Sequence, residues 1–324
     1  MDIKTLTTKK HRLDKHRPLS SALVHNLDEW FRVELTYTSN ALEGNTLTRR
    51  ETALVVEKGL TVGGKSLVEH LEATNHAKAL DWMQAQVQRQ PDTLDVRDIL
   101  TLHETILKGI DDEHAGYWRR VPVRISGSNV ILPNPRKVPD LMAGFVQWLQ
   151  ASKNEHPVNL AIEAHYRLVT IHPFVDGNGR TARLLMNLIL MMTGYPPAII
   201  RKQDRLAYIG SLEQGQLGGS KHDYEQLMMK AISRSLNIYL QAVDGSVVEV
   251  NEAPPLLKIG ELAKAAQVQN STIRHWTQAG LLEVADATTS GYQLYHPDMI
   301  TRIKHIQQYQ AQRLTLAEIR DTLQ

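Results

Sequence analysis

Up to about Ala242, apolar residues return every three or four positions, as in Leu94, Ile99, Leu102 and Ile106. That is the period of an amphipathic helix, so the body of the chain is expected to be mainly α. Two stretches break the pattern. From Tyr117 to Leu132, Val121, Val123 and Ile125 alternate with Pro122 and Arg124, Gly127-Ser128-Asn129 offers a turn, and Val130 and Ile131 follow. Period two on both sides of a turn predicts a β-hairpin. From Val243 to Pro255, Gly245, Ser246, Asn251 and Pro254-Pro255 interrupt helical periodicity and predict a linker. A second domain of about seventy residues is expected after it. The most apolar stretch, Leu184 to Ile200, is broken by Asn187, Thr193, Gly194 and two prolines, which suits a buried helix better than a membrane span.

Bulk properties narrow this picture only a little. A chain of 324 residues exceeds the usual size of one core, so two unequal domains are the default. Apolar residues at 42% and charged residues at 22% are those of an ordinary globule. A formal net charge of +2 gives no overall field for nucleic acid or a membrane surface, so any such contact must be local. The absence of cysteine excludes disulfides, thiol catalysis and thiolate zinc sites. Met1 to Pro18 is basic but lacks the apolar stretch of an export signal. A cytoplasmic location without membrane association is therefore expected.

Chemistry concentrates in His172-Pro173-Phe174-Val175-Asp176-Gly177-Asn178-Gly179-Arg180-Thr181-Ala182-Arg183, which runs directly into an apolar helix. Pro173 cannot continue the preceding helix, so that helix should end near His172 and leave its imidazole at a loop mouth. Phe174 can anchor the loop in the core. Gly177 and Gly179 permit positive φ around Asn178, so successive backbone N–H groups can turn inward as an anion nest before a helix N-terminus. Arg180 and Arg183 share a face and can clamp different phosphates, while Asp176 offers an oxygen to a bridging Mg²⁺. Asn187 lies one turn further on. A P-loop is excluded, since no Gly-Lys-Ser or Gly-Lys-Thr follows.

This run resembles the signature of the Fic family: His, Phe, an acidic residue, Gly-Asn-Gly-Arg and a second Arg three later. The resemblance implies a helical Fic core that moves AMP from ATP, with Mg²⁺, onto a Ser, Thr or Tyr hydroxyl of a protein, the chain itself among the acceptors. His172 would be the general base, Asp176 would hold the metal, Asn178 and Arg180 would bind phosphate, and Arg183 would take the γ-phosphate. The expected nucleotide-binding set is Gly177, Asn178, Gly179, Arg180, Thr181, Ala182, Arg183, Asn187 and Tyr208. Relatives that transfer phosphate instead carry lysine at the position of Gly177.

Upstream, Ser39-Asn40-Ala41-Leu42-Glu43-Gly44 places Ser39 and Glu43 four residues apart on one face, with Gly44 free to end the turn at positive φ. It is similar to the inhibitory motif of Fic proteins, whose glutamate pairs with the second signature arginine, here Arg183. Intramolecular autoinhibition by Glu43, braced by Ser39, is thus implied. Some relatives use the same glutamate to remove AMP, and that alternative stays open.

The segment Gly116-Tyr117-Trp118-Arg119 is similar to the beginning of the Fic flap. Val123, Arg124 and Ile125, together with Val130 to Leu132, are accordingly the candidates for holding a target segment, against a purely structural hairpin. Tyr208 resembles the adenine-contacting tyrosine, although the family's tyrosine pair stands here as Tyr208-Ile209.

Past Leu256, helix, tight turn and second helix resemble the MerR-type winged helix-turn-helix, with Thr272, Arg274 and His275 on the recognition helix and Gly291-Tyr292-Gln293-Leu294-Tyr295 as the wing. Arg274 would reach a phosphate or base edge and Tyr292 the backbone, or the domain contacts protein instead. With Gln293 at the wing arginine and few net positive charges, phosphate affinity should be modest. The expected plan is a helical region over 1–60 with the inhibitory helix near 38–46, a catalytic core over 61–243, a linker over 244–256 and the winged helix over 257–324. A nucleotide-sensing transcriptional regulator is the competing reading, and a homodimer is compatible with either.

Overall fold

The computed structural model describes residues 1–245, 256–287, 292–311, 316 and 318–319. The chain divides into two compact units, Met1–Val248 and Glu249–Gln324. The expected linker therefore falls almost wholly outside the described residues, as does Gly291 of the expected wing.

Ten α-helices are described in the first unit: α1 (Ile3–Asp14), α2 (Ser21–Leu42), α3 (Arg49–Lys58), α4 (Leu67–Gln86), α5 (Val96–Leu107), α6 (Val138–Ala151), α7 (Pro157–Ile171), α8 (Asn178–Met192), α9 (Arg205–Gln216) and α10 (His222–Val243). Local sequence sets many boundaries. Thr48 with Glu51 and Ser66 with Glu69 form capping boxes that start α3 and α4, and Asp95 with Asp98 does the same for α5. Gly59 ends α3 in the left-handed region. Pro157 begins α7 at the first helical position, where its missing N–H costs nothing.

The helix opened by the signature, α8, is the centre of the unit. Leu184, Leu185, Met186, Leu188, Ile189 and Leu190 are all at most 1% exposed, which accounts for the continuous apolar run. It packs chiefly on α7, with α2, α4 and α5 on its other sides. No described helix is long and apolar enough to cross a membrane. The N-terminal α1 lies along α10 and buries Leu6 and Leu13 completely. Each such leucine contributes about 1.5–3 kcal/mol relative to exposure.

One expectation is corrected. Residues 117–132 contain no strand. A turn closes where Ser128 N–H donates to the Ile125 carbonyl at 3.2 Å, with Gly127 at φ 76°. The arms are held by side chains rather than by each other: the Glu213 carboxylate accepts from Ser128 Oγ at 2.8 Å and from Asn129 N–H at 3.0 Å, and Arg119 reaches the Pro133 carbonyl at 2.6 Å. Pro122 and Pro133 supply no ladder donors, so the alternation of Val123, Ile125 and Val130 survives as partial burial without a sheet.

The second unit, taken by itself, has β1 (Leu257–Lys258), α11 (Ile259–Ala266), α12 (Asn270–Gln278), β2 (Asp286–Ala287), β3 (Gln293–Tyr295) and α13 (Met299–Ala311). The strands pair antiparallel in the order β1-β3-β2. Leu262, Ile273, Trp276, Leu281, Tyr295, Ile303 and Ile306 form its own core. Gln267 turns the chain between α11 and α12 at φ 56°, in the left-handed region that favours glycine.

Candidate active site

The loop between α7 and α8 is shaped by backbone strain and by two side chains that staple it. Pro173 keeps residue 172 out of the right-handed helix, and His172 ends α7 in the left-handed region at φ 51°. The Asn178 side chain then closes the loop on itself: its Oδ1 accepts from Phe174 N–H at 2.9 Å and its Nδ2 donates to the Phe174 carbonyl at 3.0 Å. Arg119, 2% exposed, ties the loop to the flap by donating from Nε to the His172 carbonyl at 2.7 Å and from its backbone N–H to Pro173 at 2.8 Å.

The His172 ring is held neutral. Its Nδ1 lies 3.3 Å from the Val169 carbonyl, which can only accept, so Nδ1 carries the proton and Nε2 keeps its lone pair. Burial, with the Arg119 charge, holds its pKa below the ordinary histidine value. After it, Gly177 turns at φ 75°, and no side chain caps the first turn of α8. The leading N–H groups of that helix are thereby left to an anion, with the positive end of the helix dipole behind them. Gly179, expected at positive φ, sits instead inside that helical turn. Its need for glycine is steric, because a Cβ there would run into Glu43 Oε1 and lie 3.0 Å from an Arg183 nitrogen.

Arg183 is where the upstream motif meets the signature. Its Nε donates to Ser39 Oγ at 3.0 Å, and its terminal nitrogen donates to the Ser39 carbonyl at 3.0 Å and to Glu43 Oε1 at 2.6 Å. Ser39 lies in the last turn of the 22-residue α2, Glu43 is its C-cap and Gly44 follows at φ 103°. The segment near 38–46, expected to be inhibitory, is thus the end of a long helix that starts at Ser21. Burial alone would lower the Arg183 pKa, but Glu43 and Tyr208 beside it reverse the effect and hold it above the ordinary value.

Arg180 is 3% exposed in its side chain and spans two carboxylates, Glu72 at 2.8 Å and Asp176 at 2.8 Å. Asp176 is 66% exposed at the mouth of the cradle. Among the described residues no group of three or more His, Asp or Glu can hold a metal. Asp176 therefore fits Mg²⁺ only as a single protein oxygen, with phosphate oxygens and water completing the shell.

Other expected nucleotide contacts are engaged elsewhere. Asn187 pairs both amide atoms with the backbone of Ala198 at 3.2 and 2.8 Å, which fixes the segment after α8. Thr181 and Ala182 are completely buried. Tyr208 is 4% exposed, and its hydroxyl bonds His165 Nε2 at 2.9 Å. His165 Nδ1 in turn meets the Tyr224 hydroxyl at 2.8 Å, and that hydroxyl donates to the Ile162 carbonyl at 2.9 Å. His165 consequently carries its proton on Nδ1 and accepts from Tyr208, leaving the Tyr208 oxygen to face Arg183.

Two further histidines, like His165, escaped the sequence reading. His103 stacks on Phe174 with centroids 3.5 Å apart, accepts from Gly116 N–H at Nδ1 (3.0 Å) and donates from Nε2 to the Asp176 carbonyl at 2.9 Å. His76, bonded to Thr36 Oγ1 at 3.2 Å, packs where α2 meets α4. Burial drives both down, His103 to about 4 and His76 to about 3. Both sit among apolar neighbours at helical spacing, so nothing in the sequence separates them from ordinary core positions.

Of the flap candidates, Val123 and Ile125 are half-buried and Arg124 is exposed. In the second unit, Arg274 and His275 are exposed on α12, Thr272 is half-buried, and Tyr292 is 66% exposed beside β3.

The Fic/DOC family model matches residues 93–190, spanning the flap and the whole signature, and the MerR HTH family regulatory protein model matches residues 257–324. A solved Fic domain containing signaling protein from Bacteroides thetaiotaomicron superposes with a TM-score of 0.67 at 32% identity, covering 76% of this chain and 99% of that one. The chain belongs to the Fic family. Fic-1 from C. elegans superposes with a TM-score of 0.65, again at 32% identity, over 74% of this chain and 70% of its own. The protein adenylyltransferase Fic of Culex quinquefasciatus is 36% identical over 263 residues, covering 78% of this Fic chain. The chain spans about half the length of the curated relatives it matches, 51% in that case.

Proposed function

We propose that this protein is an adenylyltransferase that moves AMP from ATP onto a protein Ser, Thr or Tyr hydroxyl and is held inactive by Glu43. The observation that carries the reading is the juxtaposition of a neutral His172, an uncapped helix N-terminus and Arg183 occupied by Glu43. The acceptor oxygen bonds to the α-phosphorus while the bond to the bridging oxygen breaks and pyrophosphate leaves. His172 Nε2 takes the hydroxyl proton. The α8 N–H groups and Arg180 supply the fixed charge around the phosphates, and catalysis rests on positioning and electrostatics. Asp176 is the residue that would hold Mg²⁺, which when bound neutralises phosphate charge. Relatives named adenylyltransferases over three quarters of this chain support the assignment.

The reading is tested by incubating Glu43→Gly protein with ATP and a lysate, then mapping modified residues by mass spectrometry. AMP on Ser, Thr or Tyr is the expected product; phosphate on those residues, or no adduct, overturns it.

The MerR match favours a second role for residues 257–324, DNA binding through α12. Retention on promoter fragments at two salt concentrations tests it, with sequence-selective binding that survives moderate salt as the expected result. Binding that vanishes uniformly across sequences would leave the unit to protein contacts.

A further inference from the structure

Glu72 belongs to neither the signature nor the inhibitory motif, yet its two oxygens join them. Oε1 accepts from Arg180 NH1 at 2.8 Å, and Oε2 accepts from Asn45 Nδ2 at 2.8 Å. Asn45 stands two residues beyond Glu43 and is sewn to the end of α2. Its backbone N–H donates to the Asn40 carbonyl at 3.1 Å, and Glu43 N–H donates to the same carbonyl at 3.0 Å. The Asn45 Oδ1 accepts from Leu47 N–H at 2.9 Å, so the side-chain amide has no freedom to turn over. A continuous path therefore runs from the inhibitory turn through Asn45 and Glu72 to Arg180, separate from the direct contact between Glu43 and Arg183.

Both partners of Glu72 are donors, so only an acceptor at each oxygen satisfies them. A carboxamide would turn an N–H₂ group toward one donor and break that arm while keeping the shape. The pair also sits where such a bond counts: the Glu72 side chain is 17% exposed and that of Arg180 3%. Arg180 Nε is buried with no partner among the described groups, so the plane of the guanidinium is set by Glu72 and Asp176 alone.

We propose that Glu72 is a positioning residue that couples the inhibitory turn to Arg180, so that the seating of Glu43 and the orientation of the first signature arginine change together. The proposal rests on the reading above only for what Arg180 does; the coupling itself is a property of the folded chain. The two arms are separable. Asn45→Ala cuts the arm to the turn, and Glu72→Gln cuts one arm with little change of volume.

The coupling is measured without any chemistry by hydrogen exchange at the Glu43 and Asn45 amides in wild type, Arg180→Met, Glu72→Gln and the double variant. Each single change is expected to speed exchange about tenfold, and the double change no more than the larger single one, because both cut the same path. Unchanged exchange in Arg180→Met, or effects that multiply in the double variant, overturns the proposal. Transfer activity supplies a second arm. Asn45→Ala should raise AMP transfer several-fold in the wild-type background and leave the Glu43→Gly rate unaltered, whereas an equal effect in both backgrounds indicates a merely structural amide and counts against coupling. Should Glu43→Gly prove inactive altogether, that result bears on the proposed function, and the exchange cycle still decides the coupling.

Discussion

Arg183 and Glu43 meet at 2.6 Å across the interface of α8 and α2, and the two sides of that contact differ in exposure. The arginine side chain is 6% exposed and the glutamate 38%. Ser39 holds Arg183 from its own hydroxyl and carbonyl, so the guanidinium stays in place when the carboxylate leaves. Glu43 also sits at the C-terminal end of a helix, where the dipole disfavours an anion. The pair therefore has a fixed half and a movable half, which suits a latch.

The glycine beneath the latch reports on it. Gly179→Ala places a Cβ against Glu43 Oε1 and Arg183, so the alanine form should lose about 1–3 kcal/mol of stability and weaken the ion pair. In a Glu43→Gly background the obstruction is gone, and the same substitution should cost far less. Thermal melts of the four proteins check this; an equal loss in both backgrounds would show that the glycine answers to something else.

The end of α2 carries an unpaid polar group. Both amide atoms of Asn40 are buried without a partner among the described residues, beside a carbonyl that serves two N–H donors. An unsatisfied buried amide costs about 1–3 kcal/mol. Asn40→Leu, with the same number and branching of side-chain heavy atoms, should raise Tm by about 2–4 °C. By firming the closed turn it should also lower basal transfer. Calorimetry and a transfer assay on the same preparation test both halves, and a lower Tm would mean that the amide is satisfied in solution.

Acid should weaken the first unit before it reaches carboxylate pH. His76 and His165 are held at about 3 and His103 at about 4, each pulled down first by burial. The unfolded chain takes up these protons near the ordinary value of about 6.5, so below that pH it binds more protons than the folded one. Stability is thus complete above about pH 6.5 and falls as pH drops toward the folded values, by about 1.4 kcal/mol per pH unit for each histidine. Urea midpoints at pH 7.5, 6 and 5 measure the slope. A flat profile over that range would contradict neutral burial.

The mainly α body, the buried α8 and the loop from His172 to Arg183 were legible because each rests on local rules: helical period, a proline that stops a helix, a glycine that turns it. The pairing of Glu43 with Arg183 was legible only through family resemblance, since 140 positions separate the partners. Neither route reached Glu72 or His103, whose roles depend on which backbone groups the fold brings beside them. The flap went astray for a related reason. Alternation reports the partial burial of Val123 and Ile125 but not the exposure of Val121, and the contacts of Glu213 and Arg119 that hold the arms are announced by no local pattern.

Incorporation of label from ATP carrying it on the α-phosphate, compared among wild type, Glu43→Gly and Glu43→Gly combined with His172→Ala with a lysate as acceptor, decides whether Glu43 restrains AMP transfer by His172. Weak labelling by wild type, a rise of about tenfold or more with Glu43→Gly as Arg183 is released, and none with the double variant are the expected results. Equal labelling by wild type and Glu43→Gly, or labelling that survives loss of His172, would contradict them.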